Sequence, residues 1–242
     1  MNKSLAFLLI SFFYTFQLFA DISSRKDTAD QPLNLDLLEP RHSAWKGLMI
    51  DKGFAYLQGA PSVLQTRWYR PANLNIYYYH RIELGSEKLT LNPGIGLAFD
   101  NYFFEDNVRL ETLGDEVVAY EEDIEGITYR RSKLNANYID IPVEIRFKSS
   151  TINRKAFKLG LGVKAGVMFD AKTKFVYSTE DRRIREQQKH HHHVNRFRFG
   201  LTGRIGYGKL LFYGYYGLNN LFRDGTAPEM RPVMFGLSLS FF

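Results

Sequence analysis

Residues 137–147 read NYIDIPVEIRF, and the order of apolar and charged side chains in this run decides the fold class. Ile139, Ile141, Val143, Ile145 and Phe147 fall at one parity, whereas Tyr138, Asp140, Glu144 and Arg146 fall at the other. A period of 2 is the pattern of a β-strand, whose successive side chains point to opposite faces. Alternation alone leaves two solvents open: water outside an apolar core, or lipid outside a polar one.

The same grammar recurs on both sides. Leu74, Ile76, Tyr78, Ile82 and Leu84 alternate with Asn73, Asn75, Tyr77, Tyr79, Arg81 and Glu83, and Leu89 to Phe103 repeat the pattern. Residues 157–175 set Leu159, Leu161, Val163, Val167, Phe169 and Phe175 against Lys158, Lys164, Asp170, Lys172, Lys174 and several glycines. Residues 197–207 and 233–241 continue it, while 47–57 (with Lys52 at the apolar parity) and 210–219 are less regular. The pattern predicts about eight strands.

The connections alternate as well. Residues 85–87, 149–154 and 207–209 are short, and 58–72, 104–132, 177–193 and 220–231 are long. Brief turns at one end and extended loops at the other are the asymmetry of an up-and-down barrel in an outer membrane.

The polar parity settles which side is wet. Gly94, Gly96, Ala98, Gly160, Gly162, Gly166, Gly200 and Gly206 lie there among Lys, Arg, Asp and Glu. On a solvent-facing strand such glycines weaken the sheet without a packing return; inside a narrow closed barrel they make room for long charged neighbours. The expectation is therefore an all-β fold, a closed antiparallel up-and-down transmembrane β-barrel. Ile139, Ile141, Val143, Ile145, Leu161, Val163, Leu237 and Leu239 face lipid in this reading. Arg81, Glu83, Asp100, Asp140, Glu144, Arg146, Lys164, Arg198 and Arg204 form a mixed-charge network that plugs the lumen, because buried charges of both signs need one another. Ranked from sequence alone, Ile141→Arg should harm the barrel more than Asp140→Asn.

At 242 residues the chain suits one large domain. Residues 1–20, MNKSLAFLLISFFYTFQLFA, have the layout of an export signal peptide. Residues 21–44 read as a flexible periplasmic leader and 45–242 as the barrel, with both ends of the mature chain in the periplasm. The absence of cysteine excludes disulfides and thiolate metal sites. The net charge of +6 comes with no nucleic-acid motif, so nucleic acid is not an expected partner. Fifteen Tyr and twenty Phe fit a bilayer boundary, and Trp45, Tyr56, Trp68, Tyr69, Tyr102, Phe104, Tyr177 and Phe241 are candidates for interfacial girdles.

Taken in order, AWKGLMIDKGFAYL, RPANLNIYYYHRIEL, LNPGIGLAFDNYFF, NANYIDIPVEIRF, FKLGLGVKAGVMF and PVMFGLSLSFF resemble the PorT-like group of small outer-membrane barrels of Bacteroidota. The resemblance covers nearly the whole mature chain. It implies an eight-stranded barrel in the outer membrane of a diderm bacterium, with a namesake that serves type IX secretion and no catalytic motif to carry over. One departure is the carboxyl end, where the apolar series Val233, Phe235, Leu237, Leu239 stops at Phe241 although the chain ends at Phe242.

Sites for chemistry are few. His190, His191, His192 and His193 follow Lys189; alternate members could share a metal, or the run is a solvated loop. Residues 105–125 are acidic with Arg109 as their one basic residue, and Arg182, Arg183, Arg185 and Lys189 make a basic loop. These two loops either pair across the barrel mouth or move independently. There is no Gly-x-Ser-x-Gly, and His80 has no sequence-level partner. The expectation is a non-enzymatic barrel without catalytic residues, cofactor or small-molecule substrate, in contact with outer-membrane lipid and with envelope or secretion-system proteins. A narrow solute channel and an outer-membrane hydrolase are the alternatives.

Overall fold

The computed structural model describes residues 47–67, 69–70, 72–104, 107–113, 116–122, 124–125, 127–150, 156–179, 182–189 and 193–241. The segments expected to be a signal peptide (1–20) and a leader (21–44), with Trp45, Trp68 and His190 to His192, lie outside the described residues.

Among the described residues twelve strands follow one another: β1 (Leu48–Gln58), β2 (Asn73–Tyr79), β3 (Ile82–Ser86), β4 (Leu89–Phe103), β5 (Val108–Leu113), β6 (Glu116–Glu121), β7 (Thr128–Lys148), β8 (Phe157–Thr179), β9 (Arg182–Lys189), β10 (Phe197–Tyr207), β11 (Leu210–Gly217) and β12 (Arg231–Ser240). Eight positions around the wall close on themselves in the order β1, β2, β4, β7, β8, β10, β11, β12 and back to β1, every pair antiparallel. Closure leaves no open edge around this wall, as a bilayer demands, because an unpaired backbone group in hydrocarbon costs several kcal/mol. β3 continues β2 along β4, β9 runs beside the far half of β8, and β5 and β6 form a separate hairpin. Among the described residues no helix is long and apolar enough to cross a membrane.

The short connections gather at one rim, where a chain of backbone bonds links them: Lys148 to Lys88, Gly208 to Ala156, Ser240 to Lys209 and Phe241 to Leu48, at 2.7–3.0 Å. Pro93 and Pro142 sit at a gap in the β4–β7 ladder, where the Cα pairing passes from Pro93–Val143 to Gly96–Asp140. Proline has no N–H to donate there.

β7 and β8 are 21 and 23 residues long. At the usual rise and tilt, 21 residues reach roughly 50 Å along the axis, about twice the ~25 Å apolar band of an outer-membrane barrel. The ladder between them shifts register where Asn137 faces Asp170 and Tyr138 faces Met168, which leaves Phe169 as an extra residue on β8. A bulge of this kind exchanges the two faces beyond it. The sequence pattern carried one parity straight through 157–175 and set Phe175 outward. The bulge instead turns Ala171, Thr173 and Phe175 inward and leaves Asp170, Lys172 and Lys174 outside, the first two paired at 2.9 Å. The outer face of β8 thus passes from Leu159, Leu161, Val163, Val167 and Phe169 to charged residues at the bulge. That change marks the level at which the wall leaves the apolar band.

Candidate functional site

The interior is built in rows. Across β7, β8 and β10 the register sets Asp140–Gly166–Arg198, Glu144–Gly162–Thr202 and Arg146–Gly160–Arg204 side by side, while Lys164 of β8 lies between Pro142 and Gly200. A glycine on β8 therefore stands between the polar side chains of its two neighbours in each of these rows. A β-carbon at Gly166 would overlap Asp140 Oδ1, and one at Gly162 would lie 2.7 Å from Glu144 Cγ. The glycines of the polar parity are the gaps through which the flanking side chains reach each other.

Two guanidinium groups organise the charge. Arg204 makes a fork on Asp51 (2.6 and 2.8 Å), donates from Nε to Glu144 at 3.0 Å and reaches Ser238 Oγ at 2.8 Å. Arg198 makes a second fork on Asp140 (2.9 and 2.6 Å) and donates to Asp100. Lys164 stands 3.6 Å from Asp140, and Arg146 lies 2.8 Å from Glu144. Tyrosines complete the set. Tyr77 donates to Asp140 and Tyr79 to Glu144, both at 2.8 Å, while Arg198, Lys164 and Arg146 each lie 3.9 Å from the ring centre of Tyr138, Tyr215 and Tyr79. Four carboxylates thus face four cations, and side chains from all eight positions of the wall take part. Such forks give both energy and fixed geometry.

Towards the long loops the interior becomes apolar. Ala98, Tyr102, Leu134, Ala136, Met168 and Met234 of the wall meet Leu64, Phe104, Val108, Leu110, Val117, Val194, Phe222 and Met230 of the loops in one buried cluster. Tyr102 and Phe104 belong to this plug, fully buried, rather than to an interfacial girdle as their position near a strand end suggested. The loops are tied to each other by main-chain bonds: Thr66 bridges Phe104, Val194 bridges Phe222, Val117 donates to Thr226 at 2.7 Å, and Arg223 donates to the His193 carbonyl at 2.9 Å. They form a cap over the mouth.

Arg109 of β5 pins this cap. Its guanidinium contacts Glu111 (2.9 Å), Glu122 (3.2 Å) and Glu186 of β9 (2.8 Å) and lies 5.7 Å over the Phe175 ring. The hydroxyl of Tyr177 donates to Glu186 at 3.0 Å, and that bond raises the phenol above its ordinary range. This bridge between the acidic and the basic loop has inverted polarity: the arginine of the acidic loop holds the glutamate of the basic one. Replacing Arg109 with alanine is expected to loosen the cap by about 1 kcal/mol, so that amide exchange in β5 and β6 accelerates roughly fivefold while residues 139–147 of β7 keep their protection.

A closed antiparallel barrel with aliphatic side chains outside and paired ions within is a β-barrel of the outer-membrane class. The chain belongs to the outer membrane protein beta-barrel domain family, whose match spans residues 51–223. No curated protein matches it. Among solved structures it is similar to Ail, the attachment invasion locus protein of Yersinia pestis, at 11% identity over 80% of this chain and 98% of that one, with a TM-score of 0.30.

Of the residues assigned to the lumen, Asp100, Asp140, Glu144, Lys164, Arg198 and Arg204 are buried inside and Arg146 is nearly so. Arg81 and Glu83 are a correction: they pair with each other at 3.5 Å with side chains 40% and 53% exposed. The strand breaks at His80, and β3 runs past the start of β1, so among the described residues no strand encloses it on that side. Ile139, Ile141, Ile145, Leu161 and Val163 point outward and are well exposed, with Val143, Leu237 and Leu239 half-buried on the same face. Lys52 shares that face. Sequence reading missed Asp51, which lies in the irregular first strand, and the tyrosine donors; the available signal was polar parity carried through β1 and β2. Among the described residues no cluster of three or more His, Asp or Glu is arranged for a metal.

Proposed function

We propose that the protein is a non-conducting, non-enzymatic barrel of a diderm outer membrane whose work is done by its cap, docked against another envelope protein. In this reading the long loops face outward, and the short turns and both chain ends lie in the periplasm, following the usual asymmetry of such barrels. The observation that carries it is the filled interior: a balanced ion network in one half, an apolar plug in the other and a cap tied across the mouth. A wall of eight strands encloses room only for side chains.

Purified protein in planar bilayers is expected to give no step currents. Sustained ion conductance would instead establish the narrow-channel alternative. The resemblance to the PorT-like group supports type IX secretion components as the first partners to seek. Crosslinking in native outer membrane is expected to recover such a component through the loops, and recovery of a solitary monomer would sink the docking role. Release of fatty acid from phospholipid by the pure protein would favour the hydrolase instead.

A further inference from the structure

Above the bulge the outer wall changes in layers. The register sets three rows across β4, β7 and β8: Phe99–Asn137–Asp170, then Asn101–Asn135–Lys172, then Phe103–Lys133–Lys174. All lie on the outer face, because the bulge brings Asp170, Lys172 and Lys174 into line with Leu97 and Ile139. Phe169 meets Phe99 edge-on at the lowest row, ring centres 6.5 Å apart, and is 46% exposed. That pair ends the apolar run. Phe103, two rows higher, lies beneath the cations of Arg70 and Lys133, at 5.6 and 5.5 Å.

Main-chain pairing forces cations together just beyond this edge. Lys133 lies directly opposite Lys174, and like charges so placed destabilise a sheet. Burial, Lys174, Arg131 and Lys172 push the Lys133 ammonium down to about 8. Asp170 is the one acid in the three rows, and it is held by Lys172 at 2.9 Å and Asn137 at 3.2 Å. β9 extends the upper two rows with Lys189 and Gln187 and adds no acid. Among the described residues neither Lys133 nor Lys174 has an ion-pair partner; Lys133 donates to the Asn101 side chain at 2.8 Å, and Lys174 has no side-chain bond.

The level of these charges decides what they meet. Rows two residues apart are separated by roughly 5 Å along the axis at the usual rise and tilt. Lys172 therefore stands about 5 Å beyond the aromatic edge and the Lys133–Lys174 pair about 10 Å beyond it, beside a headgroup zone ~5–8 Å deep. A lysine stem is long enough to set its ammonium in that zone.

We infer that this face binds the phosphate of a membrane lipid in the leaflet at the long-loop side, with Lys133 and Lys174 on the phosphate and an acyl chain along Phe169, Val167 and Ile139. Ile139 and Val167 are paired across β7 and β8 on the same outer face, directly below the cations. Lysine serves phosphate as a point charge, and basic residues at a membrane surface attract anionic lipid. A soluble acidic partner would reach the pair only by entering the headgroup layer, which favours the lipid. The inference rests on the barrel spanning a bilayer, which Ile141→Arg probes separately. It does not rest on the proposed docking role, so conductance and partner capture can fail without touching it.

The test uses the full chain in maltoside detergent, with bound lipid read by native mass spectrometry. Diphosphoryl lipid A is expected to be retained at least about tenfold better than the same lipid A stripped of phosphate. The double variant Lys133→Gln, Lys174→Gln should lose that preference, whereas Lys148→Gln, at the opposite rim, should keep it. In lipid-free detergent the double variant should unfold at the same or a higher temperature than the wild type, because the opposed charges are gone. Lys174→Gln alone breaks no side-chain bond of the fold, so its loss of about threefold or more in retention stands even if the double variant is less stable. Equal retention of the two lipids, an undiminished preference in both lysine variants, or displacement of lipid A by equimolar inorganic phosphate or polyglutamate would overturn the assignment.

Discussion

Asp140→Ala is expected to cost the folded barrel about 3–5 kcal/mol, the size found when one partner of a buried ion pair is removed. The carboxylate accepts both bonds of the Arg198 fork and the Tyr77 hydroxyl, and it faces Lys164. Without it Asp100 is the one carboxylate left to Arg198, and Lys164 loses its nearest counter-charge while both remain buried. Urea titration of the protein refolded into lipid vesicles measures the loss. A change below 1 kcal/mol would mean that water enters the lumen freely and that the network is not closed. Asp140→Asn retains an acceptor but not the charge, so about 2–3 kcal/mol is expected. That lifts it level with the outward-facing substitution, whereas sequence alone ranked it milder.

Ile141→Arg is expected to destabilise by about 2–4 kcal/mol, the range for a cation set on the lipid face near the bilayer midplane. Ile141 is 58% exposed on the outer wall, so in water the same change would be nearly neutral. The contrast makes the substitution a test of solvent rather than of packing. In the same urea titration, a cost close to zero would show that water rather than acyl chains lies against residues 139–147. Lys52, already on that face, is longer than the isoleucine it would resemble in position and can carry its charge toward the headgroups.

Much of the wall was legible because its side-chain period is 2 and its glycines fall at the parity of the charges. The eight positions, the antiparallel order and the inward direction of Asp140, Glu144, Arg198 and Arg204 all follow from that pattern. What escaped it depends on pairing between distant segments. Asp51 reaches Arg204 across 153 residues of chain, and nothing near Asp51 announces a partner. The cap escaped for a related reason: Val108, Leu110 and Val117 are buried by the loops that meet them, whereas their own segment reads as acidic and exposed. Arg81 and Glu83 obey the local alternation and still miss the lumen, because enclosure is a property of the neighbouring strand. The bulge at Phe169 is a single added residue in a run whose alternation reads cleanly on either side, so a strict period passed over it.

That added residue has a consequence for how the molecule can diversify. It works as a phase adjuster between two lengths of one ribbon, and substitutions on either side are read by different rules. Below it, an odd-numbered position of β8 must satisfy hydrocarbon; above it, an odd-numbered position must satisfy the underside of the cap. Removing Phe169 would put the upper ribbon out of step, swinging Lys172 and Lys174 beneath the cap and Phe175 into water. Keeping it frees the projecting tip to acquire new side chains for new contacts while the portion embedded below is left undisturbed.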